Sequence, residues 1–506
     1  MGRNALANLA ARVWMAAMNF LFVPLYIQFL GIEAYGLIGF FAAMMAAFAL
    51  LDLGLSLTIN RELARRADTV DTRSESRDLL RTLEVVYWGV AVVIGAGIAL
   101  AAPIIVHRWL NIGTLPAGIA VNAVRVMGFT ALLRWPVPLY VGAMLGLQRQ
   151  VLLSFVTSAG STLASGGAAL ILLLGVRDIA AFFLWQAVAA AVMVIALRTI
   201  VWRSLSMPRH VPAVRWESVK KTIGFSAGVT GITLLSILVG QLDKFVLARA
   251  LPLGIFGFYT LASAIAATVS TAGSAIEAAA FPAMSRIVAE GRTDTLAKLY
   301  HSATQGLALI VLPAAITVIL FAPELLSFYV GNSVVVAGAA PLLRVLMAGH
   351  AILALMFLPL SLQLAHGWTR LSIYKNSLSL VVFVPTLILL VRHLGALGGA
   401  ISWLLLTLSY LLIEIPIMHR RLLPGEQWRW YGVDVLMPAF AATAILGAIR
   451  MILPTGMGSL ATIFAIGTGW ALAMVVCGLL LPASRGVILS RLRRGDGLAT
   501  AGPASG

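Results

Sequence analysis

The chain has 506 residues, 60% hydrophobic and only 11% charged, with a mean hydropathy of +0.97. A soluble globular domain carries about 25% charged residues, so this composition excludes a soluble fold and marks a polytopic membrane protein. The net charge of +17 does not describe a nucleic-acid binder, because the basic residues fall between apolar spans and not in one aromatic-interleaved patch.

An α-helix needs about 20 mostly apolar residues to cross a bilayer core. Apolar runs separated by turn or charge signals predict about fourteen such helices, at 6–30, 36–59, 83–106, 121–147, 151–176, 179–201 and 223–250, then 254–281, 300–321, 338–365, 371–391, 397–419, 433–452 and 457–481. The apolar stretch at 14–30 lacks a small-residue cleavage site and runs on into the next span, so no cleavable signal peptide is evident. The one cysteine, Cys477, lies in an apolar span, which excludes an intramolecular disulfide and a cysteine metal cluster.

Orientation follows from lysine and arginine in the short connections. Connections after even-numbered spans carry Arg61, Arg65, Arg66, Arg77, Arg81, Arg149, Arg203, Arg215, Arg286, Arg292, Arg370, Arg420 and Arg421, whereas odd-numbered ones hold little beyond Arg108, Arg177, Arg249, Arg392 and Arg450. Both termini are therefore expected in the cytoplasm. The tail after Arg494 is small, polar and expected to be disordered.

A common offset places Asp52 on Glu277 and Arg61 on Arg286, and the turns LGIEAYGLIGFF and LPLGIFGFYTLA match loosely through Gly36 and Gly257. The expected organisation is a six-helix bundle at 1–205, a basic cytoplasmic linker at 206–222, a second six-helix bundle at 223–419, two added helices at 432–482 and a tail at 483–506. In that arrangement the first, second, seventh and eighth helices line a central cleft. The linker suits anionic lipid head groups, or serves as a topogenic anchor.

Ionisable groups inside the spans are Arg12, Asp52, Arg125, Arg134, Asp243, Lys244, Glu277, Arg344, His350 and Glu414. Such groups are functional candidates by default, the alternative being structural ion pairs or snorkelling side chains. Arg125 and Arg134 are nine residues apart, about 900° around a helix, and so lie on opposite faces. Arg134 is weighted higher because Trp135 and Pro136 follow it, where a proline kink opens the backbone. Asp243 and Lys244, as sequence neighbours, point about 100° apart and are not expected to bridge each other. Asp52, Asp243 and Glu277 are candidates for gating by protonation or for holding a coupling cation. No GxxxxGK[ST], HExxH, GxSxG or metal-ligand cluster occurs, and no outer loop is long enough for a catalytic domain.

Three segments, VPLYIQFLGIEAYGLIGFF, DLGLSLTINRELAR and QLDKFVLARALPLGIFGFYTLASAI, resemble the polysaccharide flippase branch of the multidrug/oligosaccharidyl-lipid/polysaccharide exporter superfamily. The resemblance implies two bundles giving alternating access to a central cavity. It also implies movement of undecaprenyl-pyrophosphate-linked oligosaccharide across the bacterial inner membrane, without enzymatic activity or a bound cofactor. Arg12, Arg134, Lys244, Arg344 and Arg125 would then supply positive charge to the substrate, with Arg61 and Arg286 on the cytoplasmic approach. Asp52, Asp243, Glu277 and Glu414 nearly offset that charge, and these carboxylates suit coupling to a proton or sodium gradient. One chain holds both halves of the cleft, so a monomer suffices, with other polysaccharide-assembly proteins as implied partners. The alternatives are a cation-coupled multidrug exporter, a membrane glycan polymerase or glycosyltransferase, and a scaffold whose internal charges are all structural.

Overall fold

Glycine, proline and capping side chains set where the helices of this computed structural model begin and end. The structure describes residues 2–65, 70–205, 211–216, 235–453, 458–483 and 485, with side chains from 10 onward in the first helix and from 74 onward in the fourth. Of the expected linker only 211–216 is described, and of the expected tail only 483 and 485; the rest of both lies outside the described residues. No β-strand occurs among the described residues.

Internal contacts divide the chain into two units, Met1–Thr260 and Leu261–Gly506. The first holds α1 (Gly2–Leu21), α2 (Val23–Phe48), α3 (Leu55–Arg65), α4 (Val70–Ile104), α5 (Ala117–Arg134), α6 (Val137–Gly146), α7 (Gln150–Leu173), α8 (Ile179–Ser204), α9 (235–250) and the start of α10 (Leu253–Ala289). Asp178 begins α8 by accepting the backbone N–H groups of Ala180 and Ala181, both at 3.3 Å, which satisfies donors that a helix start leaves free. Within this unit α4 packs on α5, α5 on α8, α8 on α7, α7 on α1, and α3 on α6.

Small residues permit these approaches. A Cβ added to Gly95 would stand 2.8 Å from the Gly128 carbonyl, and one on Gly128 would stand 2.5 Å from that of Gly95. The same device brings α2 to the start of α10: a Cβ on Gly36 would meet Leu253 O at 2.5 Å, and one on Gly257 would meet Ile32 O at 2.2 Å. In a bilayer, where lipid tails are as apolar as leucine, close backbone packing of this kind is a main source of helix association. The two glycines matched in the sequence are thus reciprocal partners in one crossing.

The second unit continues with α11 (Thr293–Leu320), α12 (Ala322–Val330), α13 (Ser333–Leu355), α14 (Phe357–Ala365), α15 (Arg370–Leu394) and α16 (Ala396–Ser409), which runs through a π-turn at Tyr410–Glu414 into α17 (Ile415–Leu422). After α18 (Gln427–Arg429) and a π-turn at Trp430–Leu436 come α19 (Met437–Ile452) and α20 (Ser459–Leu480). Asn332 caps α13 through Val334 and Val335 at 3.0 and 3.1 Å, and Gly331, in the left-handed region at φ 68°, ends α12. A buried cluster of Phe321, Ala442, Leu446, Ile466, Ala473 and Cys477 ties α19 and α20 into this unit.

Twelve helical stretches among the described residues are long and apolar enough to cross a membrane, and the chain is a multi-pass membrane protein. Eleven of the twelve each fall on one expected span, and the remaining one, Val23–Asp52, straddles 6–30 and 36–59 across a non-helical Gly31 at φ 84°. The count of fourteen also rests on 6–30, which the structure divides between α1 and α2, and on 223–250, of which 223–234 lie outside the described residues.

Candidate functional site

The second expected span is not one continuous helix. α2 stops at Phe48, a 3-10 turn carries Ala49–Asp52, and Leu53 and Gly54 both take left-handed backbone angles, φ 47° and 78°, before α3 starts. A break inside a membrane helix frees backbone groups that need partners. Here Trp135 Nε1 donates to Phe48 O at 3.1 Å. Trp135 itself stands at a second break, where α5 ends at Arg134, Pro136 follows, and α6 starts at Val137. The Tyr87 ring lies 4.8 Å from that of Trp135, and its hydroxyl donates to Asp52 Oδ1. Ser56 donates to Asp52 Oδ2 through Oγ at 2.8 Å and through its N–H at 3.4 Å. Asp52 therefore places negative charge at the N-terminus of α3, where the helix dipole favours it.

Arg134, next to Trp135 in the chain, keeps an accessible surface while closely surrounded by protein, and has no carboxylate in ion-pair distance among the described residues. The structure thus joins the Asp52 and Arg134 breaks through Tyr87 and Trp135 without pairing the two charges. Arg12, Arg125 and Arg344 are likewise exposed and without an ion-pair partner among the described residues. The carboxylates, in contrast, are held by other groups. Asp243, 2% exposed, accepts from Tyr259 OH at 2.6 Å. It also bridges Lys244 at 3.4 Å, against the expectation from their 100° separation. The lysine stem is long enough to fold back, and its Nζ also reaches Gly240 O at 3.2 Å. Glu277, half-buried, accepts from Ser361 at 2.9 Å. Arg61 is exposed and engaged with partners. Arg286 is exposed on α10 and lies 3.9 Å from Glu290 one turn on.

Residues 1–288 match the family model described as polysaccharide biosynthesis protein. The chain belongs to that family. It is 24% identical over 191 residues to a Shigella flexneri protein carrying the provisional name of an O-antigen transporter, a match covering 37% of this chain and 44% of that protein. It is 23% identical over 258 residues to the lipopolysaccharide biosynthesis protein WzxC of Escherichia coli K12, covering 50% and 51%. The chain therefore spans about half the length of the curated relatives it matches. Among solved structures it is similar to the lipid II flippase MurJ in an inward closed conformation, with TM-score 0.73, 12% identity, and coverage of 96% of this chain and 100% of that one. It is also similar to an inward-facing MATE-family multidrug resistance transporter of the MOP superfamily, with TM-score 0.64, 16% identity, and coverage of 83% and 98%. At these identities the likeness is one of fold. The resemblance to the polysaccharide flippase branch is borne out.

This member of the polysaccharide biosynthesis protein family also contains polar sites that its sequence did not single out. Glu84, buried in α4, accepts from Tyr140 OH at 2.8 Å, Arg198 Nε at 3.0 Å and Trp202 Nε1 at 2.8 Å, with Arg81 at 3.3 Å from its other oxygen. It sits at the edge of an apolar span beside Arg81, which reads as an interfacial ion pair, and nothing local reveals the partners on α6 and α8. In the second unit, the His301 ring on α11 is held between Asp434 at Nδ1 and Glu426 at Nε2, while Gln305 Nε2 donates to Asp434 at 2.8 Å. The sequence separation of more than a hundred residues hides that cluster completely. Asp78 binds Arg215 at 2.9 Å and the Ala213 N–H at 2.8 Å, fastening the described piece of the linker to α4.

Proposed function

We propose that the chain is a flippase that moves undecaprenyl-pyrophosphate-linked oligosaccharide across the bacterial inner membrane by alternating access, for surface polysaccharide assembly. The observation that supports it most is an exposed Arg134 without an ion-pair partner at a paired helix break, in a chain of the polysaccharide biosynthesis family. An unpaired charge costs about 2.5–3.5 kcal/mol at the centre of a membrane helix on insertion scales, and a counter-ion offsets that cost. A guanidinium meets a pyrophosphate through two donors at once. Arg12 is proposed to add to that charge, Arg125 on the opposite face of α5 is not, and Lys244 adds less because Asp243 already engages it. The proposed organisation is two six-helix bundles at 1–205 and 223–419, with the added helices at 432–482, both termini cytoplasmic, and a monomer as the working unit.

The carboxylates suit ion coupling. Asp52 and Asp243 each accept a tyrosine hydroxyl, from Tyr87 and Tyr259 respectively, and Glu277 accepts from Ser361. Protonation of either aspartate would disturb those bonds and the helix turns that carry them. A second reading, a cation-coupled multidrug exporter, is favoured by the fold likeness to the MATE transporter.

Deleting the gene and analysing lipid-linked glycans by leaflet separates the two. On the flippase reading, undecaprenyl-linked units accumulate facing the cytoplasm and no unit reaches the surface. Unchanged glycans with altered drug tolerance would replace it with the exporter reading. Single units at the surface that fail to polymerise would move the assignment to a polymerase.

A further inference from the structure

A cavity of about 480 Å³ opens between α15 and the α16–α17 helix in the second unit. Its outer walls are Tyr374, Leu378 and Val382 on α15 and Leu405, Ile413 and Ile417 opposite, all of them exposed. Residues 371 to 386 border it, about 22 Å of helix at 1.5 Å per residue. That length compares with about 15 Å for half of a ~30 Å hydrocarbon core, so the groove covers one leaflet and its interface.

The charged pair in the groove is internally balanced. Lys375 Nζ reaches Glu414 Oε2 at 2.9 Å, Gln363 donates to Glu414 Oε1 at 2.7 Å, and the Lys375 ammonium stands 4.3 Å from the Tyr410 ring centre. No unmatched charge is left to attract an ion inward, so the occupant of the floor is uncharged. Charge gathers instead beyond one end. Arg370 lies one turn before Tyr374, and Arg420 and Arg421 lie three and four residues after Ile417, so each continues a stripe that lines the groove. All three are exposed and have no carboxylate partner among the described residues; Arg421 is steadied over the Trp368 ring at 4.4 Å.

We propose that this groove binds one acyl chain of an anionic phospholipid whose head group lies against Arg370, Arg420 and Arg421. The site is independent of the transport reading. By the distribution of lysine and arginine it belongs to the cytoplasmic leaflet. Juxtamembrane arginines favour anionic lipid by an amount that corresponds to about fivefold in affinity for each residue.

The test is native mass spectrometry of the full chain released from nanodiscs made of equal parts phosphatidylglycerol and phosphatidylethanolamine. The wild-type protein is expected to retain phosphatidylglycerol in preference to phosphatidylethanolamine. Arg370→Gln, Arg420→Gln and Arg421→Gln should each reduce that preference, by about fivefold per arginine removed. Ser409→Trp should displace lipids of both classes by filling the groove, and Leu405→Trp, on the exposed wall, repeats the test should Ser409→Trp fail to fold. Equal retention of the two lipids, or retention unaffected by the arginine and tryptophan variants, overturns the proposal. Displacement of phosphatidylglycerol by equimolar undecaprenyl phosphate also overturns it, assigning the groove to a polyprenyl chain.

Discussion

Asp52 and Glu277 occupy matched positions in the two halves of the sequence, yet their settings differ. Asp52 stands at a broken helix, tied to Tyr87, Ser56 and, through Tyr87, to Trp135 at another break. Glu277 lies inside α10, a single helix of 37 residues with Pro282 just beyond it, and accepts from Ser361. Sequence correspondence thus located both carboxylates but not the backbone that makes one of them a joint. A carboxylate at a break can influence two helix ends when its bonds change, whereas Glu277 sits within one hydrogen-bonded helix whose nearest weak point is Pro282.

The contrast can be broken by substitution. The largest effect is expected at Glu84, which fixes the helices around the Asp52 break. Glu84→Ala leaves Tyr140, Trp202 and the half-exposed Arg198 without their acceptor and should cost about 3 kcal/mol; thermal unfolding in detergent measures it. Next comes the close crossing of α2 and the start of α10. Gly36→Ala or Gly257→Ala drives a methyl into a backbone carbonyl and should cost about 2 kcal/mol each by the same assay, with little additivity because they share one crossing. Asp52→Ala removes a helix-capping acceptor and the Tyr87 bond, for roughly 1–2 kcal/mol. The matched substitution Glu277→Ala, which deletes one hydroxyl bond on a continuous helix, should cost about 0.5–1 kcal/mol. Equal losses at Asp52 and Glu277 would mean that the break confers nothing special on Asp52.

Much of this was legible because bilayer physics is simple. Apolar length located the spans, and Pro136 after Arg134 marked the break between α5 and α6. The break at Leu53 and Gly54 was not legible, since leucine rarely adopts a left-handed conformation and the stretch is as apolar as the helix before it. The groups that bond to it, Trp135 and Tyr87, are distant in the chain. Glu84 and the His301 cluster were hidden for the same reason: each is satisfied by donors or acceptors on other helices, and one sequence carries no record of such pairs. The Asp243–Lys244 bridge was misjudged because backbone phase was applied to a side chain long enough to evade it.

The most direct measurement is the flipping rate of pyrophosphate-linked oligosaccharide in vesicles reconstituted with wild-type protein, Arg134→Ala, Arg134→Lys and, as a control outside the proposed site, Arg392→Ala. Arg134→Ala should slow flipping by roughly tenfold or more, the value of a hydrogen bond to a charged group. Arg134→Lys should retain part of the rate, because an ammonium keeps the charge but loses the two-donor geometry. Stability should not fall, since Arg134 has no ion-pair partner among the described residues and removing an uncompensated charge from a membrane helix is favourable. An Arg134→Ala protein that is equally stable and flips at the wild-type rate would contradict the account.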